Sequence, residues 1–350
     1  MSLIPVTLLT GFLGSGKSTL LSQILRDDAF ANTAVIVNEF GEIGLDDFLV
    51  THSEEQTVEM TTGCLCCTVR GDITQTLIDL FEKRKSGQIN AFDRVIIETT
   101  GLADPAPVIH TLIAEPRIAK RFMLGGVVCT IDSVNGLSTL DKHEECQKQV
   151  AVADRIVYMK SDIEVDEAAS HDLYREIKKL NPLAKKQDRH AVDFNLSHLF
   201  DTTLYDPQKD RYDLERWLND QPLHDHDHHH THSHHHHHHD GTIDTFSIIF
   251  EDPLPSNAFL LAMQLLISNQ GKDILRIKGI VCLKEQPERP IILHGVQHVF
   301  HEPLELDAWP GEDRRTRLVF ITRNIPQQTI NLFFKTWMSY DDEQVLEMSR

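Results

Sequence analysis

The first 200 residues of the chain alternate between short apolar runs and longer amphipathic segments. The runs are rich in β-branched residues and nearly continuous, which is typical of strands buried on both faces of a parallel sheet. The segment 73–85 between two of them has the spacing of a helix with one apolar face. The predicted strands are 3–9, 33–38, 92–97, 126–132 and 155–159, and further predicted helices are 19–26 and 141–152. This order predicts an α/β fold in which helices cover a mostly parallel sheet.

The pattern loses its regular alternation of strands and helices after about residue 200, and a new set of elements begins at 242. The predicted strands there are 242–251, 274–283, 290–300 and 317–322, and the predicted helices are 256–268 and 327–337. Successive strands of this kind favour an antiparallel sheet. We therefore predict an N-terminal domain at 1–200, a linker at 201–241 and a smaller C-terminal α+β domain at 242–340.

Residues 11–18 read Gly-Phe-Leu-Gly-Ser-Gly-Lys-Ser and fit G-x-x-x-x-G-K-[ST] between a predicted strand and a predicted helix. This is the context of the phosphate-binding loop of a P-loop NTPase, where backbone N–H groups and a helix N-terminus hold an anion. Lys17 can then reach the β- and γ-phosphates as a catalytic residue, and Ser18 can bind Mg²⁺. The predicted nucleotide-binding residues of the loop are Gly11, Gly14, Ser15, Gly16, Lys17, Ser18 and Thr19.

Another predicted strand, 92–97, runs into Glu98, and Gly101 follows three positions later. P-loop enzymes place an acid at such a strand end to hold Mg²⁺ or its water, and the N–H of the glycine senses the γ-phosphate. We therefore predict that Glu98 is catalytic together with Lys17 and that Gly101 contacts the nucleotide.

The strand 155–159 runs into Lys160-Ser-Asp162. Many P-loop proteins select guanine with the sequence [NT]-K-x-D, in which the carboxylate accepts hydrogen bonds from the base. Met159 replaces the Asn or Thr here, but the discriminating carboxylate is kept. The sequence predicts that Lys160 and Asp162 bind the base and favours GTP over ATP.

Three of the six cysteines, Cys64, Cys66 and Cys67, fall within four positions. Thiolates are soft ligands that suit Zn²⁺, with Cu(I), Co²⁺ and Ni²⁺ as alternatives. Glu39, Glu42 or an imidazole can supply a fourth ligand, and we include Glu42 in the predicted set. A redox-sensing or inert buried cluster is the other interpretation. The cysteines also lie between the loops after residues 38 and 98, which a γ-phosphate would order, so we predict that metal affinity depends on the bound nucleotide.

Twelve of the 21 histidines lie in the tract 224–239. The tract has no apolar content to bury, so we predict an exposed segment without a packed core. Neutral imidazoles are metal ligands, which favours metal capture or buffering over a cloning tag, because tags normally sit at a terminus.

Composition restricts the partners. The 53 acidic and 34 basic side chains give a net charge of −19, which argues against nucleic acid or an anionic membrane surface as a general partner. No apolar stretch approaches the length of a membrane span, and six cysteines in 350 residues do not form a disulfide framework. We predict a cytoplasmic protein.

The motifs occur in one order along the chain: the P-loop, Asn-Glu-Phe-Gly-Glu at 38–42, Gly-Cys-Leu-Cys-Cys at 63–67, Glu-Thr-Thr-Gly-Leu-Ala-Asp-Pro at 98–105 and Lys-Ser-Asp at 160–162. With the histidine tract and the C-terminal domain, they resemble the CobW-type P-loop GTPases, in particular their zinc-chaperone branch, which is related to the nickel chaperones. Two positions depart from the family's pattern. They are Met159 and Val37, the latter standing where some relatives have a glutamate that can bind metal.

The resemblance implies a GTP-hydrolysing metallochaperone that uses GTP and Mg²⁺, binds zinc at Cys64, Cys66 and Cys67, and delivers it to a client metalloprotein. It leaves open a homo-oligomer and metal insertion for clients of the cobalamin or nitrile hydratase type. A metal store or sensor with a regulatory GTPase, and a P-loop kinase acting on a small molecule, are the rival functions.

Overall fold

The computed structural model describes residues 3–38, 57–59, 65–69, 72–164, 166–200, 242–300 and 303–340. The chain divides into two compact units, with the boundary between residues 204 and 205. The predicted linker 201–241, with its histidine tract, lies outside the described residues. Within the part of the chain that is described, no helix is both long and apolar enough to cross a bilayer.

The first unit is built on one eight-stranded sheet. The strands are β1 (Ile4–Gly11), β2 (Thr33–Asn38), β3 (Thr57–Glu59), β4 (Leu65–Val69), β5 (Arg94–Glu98), β6 (Phe122–Asp132), β7 (Arg155–Met159) and β8 (Lys185–Asp188). Their order in space is β3-β4-β2-β5-β1-β6-β7-β8. Every neighbouring pair is parallel except β3 with β4, so the predicted mostly parallel sheet is confirmed.

Helices cover both faces of this sheet. They are α1 (Lys17–Ile24), α2 (Ile73–Lys85), α3 (Ala106–Ala114), α4 (Pro116–Ala119), α5 (Gly136–Lys142), α6 (Glu144–Val152), α7 (Glu167–Leu180) and α8 (Leu196–Leu199). One apolar core contains Leu20, Leu21 and Ile24 of α1, and a second contains buried residues of α6 and α7. The predicted single helix at 141–152 is wrong, because His143 is extended, with φ −129° and ψ 111°, and separates α5 from α6.

The second unit is a separate antiparallel sheet, as predicted. Its strands are β9 (Ile243–Phe250), β10 (Ile274–Val281), β11 (Ile291–Val296), β12 (Val299–Phe300), β13 (Leu304–Glu305) and β14 (Thr316–Arg323), in the order β12-β11-β10-β14-β9 with β13 paired to β11. Helices α9 (Ser256–Gln270) and α10 (Gln327–Trp337) share its main core, which is rich in phenylalanine. The predicted strand 290–300 is two strands, because Gln297 turns the chain with φ 53°.

Candidate nucleotide site

The P-loop joins the carboxyl end of β1 to the first turn of α1. Gly11 has φ 142°, and a Cβ there would lie 2.6 Å from the carbonyl oxygen of Thr130. Gly16 has φ 98° and precedes the first helical residue. Both positions therefore require glycine, one for close approach and both for the positive φ. The sequence motif and the local backbone agree.

Lys17 and Ser15 are held by this loop and by the neighbouring strand. The Nζ of Lys17 donates to the carbonyl oxygens of Gly11 at 2.8 Å and Phe12 at 3.2 Å, and the residue is only 8% exposed. The hydroxyl of Ser15 lies 2.7 Å from that of Thr130 on β6. The cation is therefore already placed across the loop and largely removed from water. The side chains of Ser18 and Thr19 are exposed at the start of α1.

Glu98 is the last residue of β5 and is 6% exposed. It is in register with Leu9 on one side and with Val37 on the other. The loop that follows is tied to β1, because the backbone N–H of Thr99 donates to the carbonyl of Leu9 at 3.0 Å. Parallel strands end at one edge of the sheet, so Glu98 and the P-loop share that edge.

Gly101 lies directly against the P-loop. A Cβ at this position would meet the backbone nitrogen of Leu13 at 2.7 Å, which is closer than real Cβ atoms approach. The 99–104 loop can therefore pack against the P-loop only with glycine at position 101. The structure brings Lys17, Glu98 and Gly101 to one edge of the sheet, as the sequence predicts.

The opposite end of the site is formed after β6, β7 and β8. Lys160, with φ 60°, donates to the carboxylate of Asp132 at 2.7 Å. Partial burial would raise the pKa of Asp132, but hydrogen bonds from Lys160 and Asn135 outweigh it and lower this pKa from its ordinary value. Asp162 pairs with the Nε2 of His190 at 3.1 Å. The predicted base-binding residues therefore stand in a polar network of their own.

Two members of that network were not predicted from the sequence. Asp132 is the last residue of an apolar strand, as Glu98 is, so the same signal could have identified it. His190 follows β8, whose four residues are all polar and gave no strand signal. Its loop is nevertheless fixed, because Asp188 accepts hydrogen bonds from the hydroxyl of Ser161 and from the backbone N–H of His190.

The predicted metal ligands are only partly within the described residues. Cys66 and Cys67 are successive residues of β4, in register with Val35 and Ile36 of β2. Cys64, Glu39 and Glu42 lie outside the described residues. Among the residues that are described, no group of three histidine, cysteine or acidic side chains is placed to hold a metal ion.

Val37, where some relatives have a glutamate, is 1% exposed and belongs to the core beside α1. An apolar side chain therefore fills this position in the sheet.

The other three cysteines are buried thiols, and Cys129 and Cys146 belong to the core beside α6 and α7. Burial raises the pKa of Cys129 well above its ordinary value, and it raises that of Cys146 to about 12. Burial and the nearby Glu288 also raise the pKa of Cys282. Metals bind the thiolate, so a raised pKa makes a cysteine a poor ligand. Packing is the role these three positions support.

The fold and this edge define a P-loop nucleotide-binding protein. Residues 5–187 match the family model of the CobW/HypB/UreG nucleotide-binding domain, and residues 243–336 match that of the cobalamin synthesis protein cobW C-terminal domain. The chain belongs to the CobW/HypB/UreG family, which confirms the resemblance seen in its motifs.

Several relatives match over nearly the whole chain. The zinc chaperone YjiA of Escherichia coli is 31% identical over 336 residues, covering 95% of this chain and 98% of the relative. The zinc chaperone CobW of Pseudomonas aeruginosa is also 31% identical, with 93% and 89% covered. The zinc-regulated GTPase metalloprotein activator 1 of Saccharomyces cerevisiae is 25% identical, with 93% and 82% covered.

A solved structure gives the same result for the fold. The crystal structure of Zn(II)-bound YjiA GTPase from E. coli matches with a TM-score of 0.74 and 29% identity, and the match covers 96% of this chain and 99% of that one. The predicted fold class, a P-loop NTPase domain followed by a smaller α+β domain, is confirmed.

Proposed function

We propose that the protein is a GTPase that binds zinc at Cys64, Cys66 and Cys67 and transfers it to a client metalloprotein under the control of the nucleotide. The observation that carries the proposal is the single edge at which Lys17, Glu98 and the Lys160–Asp162 loop meet. The printed names of three relatives, two zinc chaperones and a zinc-regulated GTPase, supply the metal and the type of partner.

The phosphate chemistry falls to Lys17, the backbone N–H groups of the loop, Ser18 and Glu98. Lys17 would exchange its two loop carbonyls for phosphate oxygens, and the N–H groups of the loop would hold the β-phosphate. Ser18 and Glu98 offer a hydroxyl and a carboxylate, the hard oxygen ligands that Mg²⁺ prefers. Bound there, Mg²⁺ would neutralise charge on the β- and γ-phosphates. Glu98 could also orient the attacking water, since it lies at the same edge of the sheet as the P-loop.

Guanine recognition falls to Asp162, whose carboxylate would accept from the two N–H positions of the base. Lys160 would pack along the ring, because its left-handed backbone and its bond to Asp132 keep its side chain at the strand end. Recognition of guanine by this pair argues against a kinase for a small molecule and favours a GTPase.

The assignment of zinc to Cys64, Cys66 and Cys67 is supported because the other three cysteines are poor zinc ligands. Of the six thiols, three are buried with raised pKa values, and the three left are the clustered ones. The side chain of Val37 has no donor atom, so a fourth ligand must come from elsewhere, and we propose Glu42 for it.

The sheet supplies a route between metal and nucleotide. Thr68, Val37 and Glu98 lie in one row across β4, β2 and β5, and Cys67 is one residue before that row. Neighbouring strands are ~4.8 Å apart, so the cysteine strand lies about 10 Å from the strand of Glu98. The strand between them, β2, leads directly into the 39–47 segment, which includes Glu42. A nucleotide that reorders this segment would therefore change the metal's ligands.

The decisive measurement is a zinc titration of the apo, GDP-bound and GTP-analogue-bound protein, with residues 224–239 deleted so that the histidines do not contribute. We expect one ion per chain and an affinity that differs between GDP and the analogue by about tenfold, a typical coupling between two sites. Equal affinities in all three states would remove the nucleotide control.

The ligand set has its own test, differential alkylation followed by mass spectrometry. We expect zinc to protect Cys64, Cys66 and Cys67 from iodoacetamide. Cys129 and Cys146 should remain unmodified with or without zinc while the protein is folded, because burial keeps them as thiols. Modification of the clustered cysteines at one rate in both conditions would exclude them as ligands.

A metal store is the second candidate, and the twelve histidines of 224–239 favour it. A store should hold several ions per full-length chain whatever nucleotide is bound. The stoichiometry of the full chain with each nucleotide therefore separates the two functions.

A further inference from the structure

Gln149 is a fully buried amide that the nucleotide chemistry above does not use. It lies in the middle of α6 and is 0% exposed. Its Nε2 donates to the carbonyl oxygens of Gly101 at 3.1 Å and Ala103 at 3.0 Å, which are more than 40 positions earlier in the chain. Its Oε1 is buried and accepts no hydrogen bond from the described residues. The side chain is therefore directed entirely at the loop after Glu98.

The helix that carries this amide is anchored at both ends. His143, which precedes α6, stacks on Phe12 of the P-loop with ring centroids 4.4 Å apart. At the other end, the buried side chain of Asn181 donates to the carbonyls of Val150 at 2.7 Å and Ala153 at 2.9 Å. Buried hydrogen bonds of this kind are difficult to exchange for water. Helix α6 is thus a fixed support between the P-loop and the 99–104 loop.

The two bonds from Gln149 determine the direction of a particular peptide N–H. The backbone N–H of Ala103 donates to the carbonyl of Thr100 at 3.1 Å, which closes a turn. The carbonyl of Thr100 and the N–H of Gly101 belong to the same planar peptide group, so fixing one fixes the other. By holding the carbonyls of Gly101 and Ala103, Gln149 holds this turn and the N–H of Gly101 in one orientation.

We propose that Gln149 is a positioning residue that gives the site its preference for a nucleoside triphosphate over the diphosphate. This inference rests on the proposed nucleotide function and on the prediction from the sequence that the N–H of Gly101 contacts the γ-phosphate. The preference arises because the N–H is oriented before the nucleotide binds. A diphosphate does not reach this N–H, so its affinity does not depend on Gln149.

The test compares Gln149→Met with Gln147→Leu. Methionine keeps the length and volume of the side chain and removes the amide. Gln147 is on the same helix, but its Nε2 donates at 2.7 Å to the carbonyl of Leu140 on α5 and not to the loop. The measurement is the Kd of a non-hydrolysable GTP analogue and of GDP for each protein, with the thermal midpoint as a check of folding. Gln149→Ala, which leaves room for water at the two carbonyls, replaces the methionine variant if that variant is unstable.

We expect Gln149→Met to raise the Kd of the GTP analogue about tenfold, which is the usual effect of removing hydrogen bonds from buried groups. The Kd of GDP should stay within about twofold of the wild-type value. Gln147→Leu should change neither Kd. An unchanged ratio of the two affinities in a folded Gln149 variant would overturn the inference, and so would equal weakening of both nucleotides, since that is the effect of a merely structural residue. Failure of the wild-type protein to bind either nucleotide would instead reject the proposed function.

Discussion

The two ends of the nucleotide edge differ in how far they are removed from water. At the phosphate end, Lys17 is 8% exposed, Glu98 6% and Gln149 0%. At the base end, the exposed side-chain fractions are 37% for Lys160 and 60% for Asp162. Charges and hydrogen bonds in a site without water interact strongly, and removing one partner there costs a large free energy. An exposed ion pair contributes only ~0–1 kcal/mol. Under the proposed function, the buried end would hold the phosphates in a fixed arrangement, and contacts at the exposed end would each contribute less binding free energy.

The largest effect should come from removing the buried cation. We expect Lys17→Met to reduce kcat for GTP hydrolysis by at least about 100-fold, because the developing phosphate charge loses its main electrostatic partner. The measurement is phosphate release under single-turnover conditions.

Lys186 is the matched control for this change. Its Nζ also donates to two backbone carbonyls, those of Asn181 at 2.9 Å and Ala184 at 2.8 Å, and burial lowers its pKa to about 8. Lys186→Met should lower the thermal midpoint and leave hydrolysis intact. If both variants hydrolyse GTP at the wild-type rate, the phosphate end is not the catalytic one.

An intermediate effect is expected for the carboxylate of the base end. Asp162→Asn should reduce the preference for GTP over ATP about tenfold, because the amide offers one acceptor and one donor where guanine presents two donors. Competition of unlabelled nucleotides against a fluorescent GDP measures this preference. Asp166→Asn is the control, since the carboxylate of Asp166 accepts from the backbone N–H of Ala168 at the start of α7, a role that asparagine can also fill. A preference that is the same in all three proteins would place guanine recognition elsewhere.

The smallest effect should belong to His190. Both side chains of its pair with Asp162 are exposed, so His190→Ala should raise the Kd of GDP only about two- to threefold. The cause would be a less well fixed orientation of the Asp162 carboxylate. Isothermal titration with GDP checks this value. A loss as large as that of Asp162→Asn would mean that the base end is more enclosed in the complex than the exposed fractions suggest.

Much of the first sheet could be predicted because its strands are apolar on both faces. The bounds of β2 and β7 are those read from the sequence, and α2 also has its predicted range. The predicted start of β6 at residue 126 is wrong, because Gly125 and Gly126 interrupt the apolar run in the sequence. The strand itself begins at Phe122 and continues through these glycines, with a shift in its register with β1.

The placement of candidate site residues at the edge of the sheet could be predicted where a motif follows a strand, as at Lys17, Glu98 and Asp162. The contribution of a single polar residue could not be predicted where it forms hydrogen bonds to a loop that is distant in sequence. Nothing in the local pattern distinguishes Gln149, which reaches the 101–103 loop, from Gln147, which bonds within its own neighbourhood. Such pairings come from packing of α6 on the sheet, which no periodicity encodes.

The short polar strand β8 has a consequence for how copies of this protein meet. It forms one border of the first sheet and reads Lys-Lys-Gln-Asp. A short, charged edge strand disfavours pairing with a strand from another chain, which would otherwise extend the sheet through backbone hydrogen bonds. Among the described strands, the four residues of β8 therefore disfavour pairing of this sheet edge with a strand of another chain.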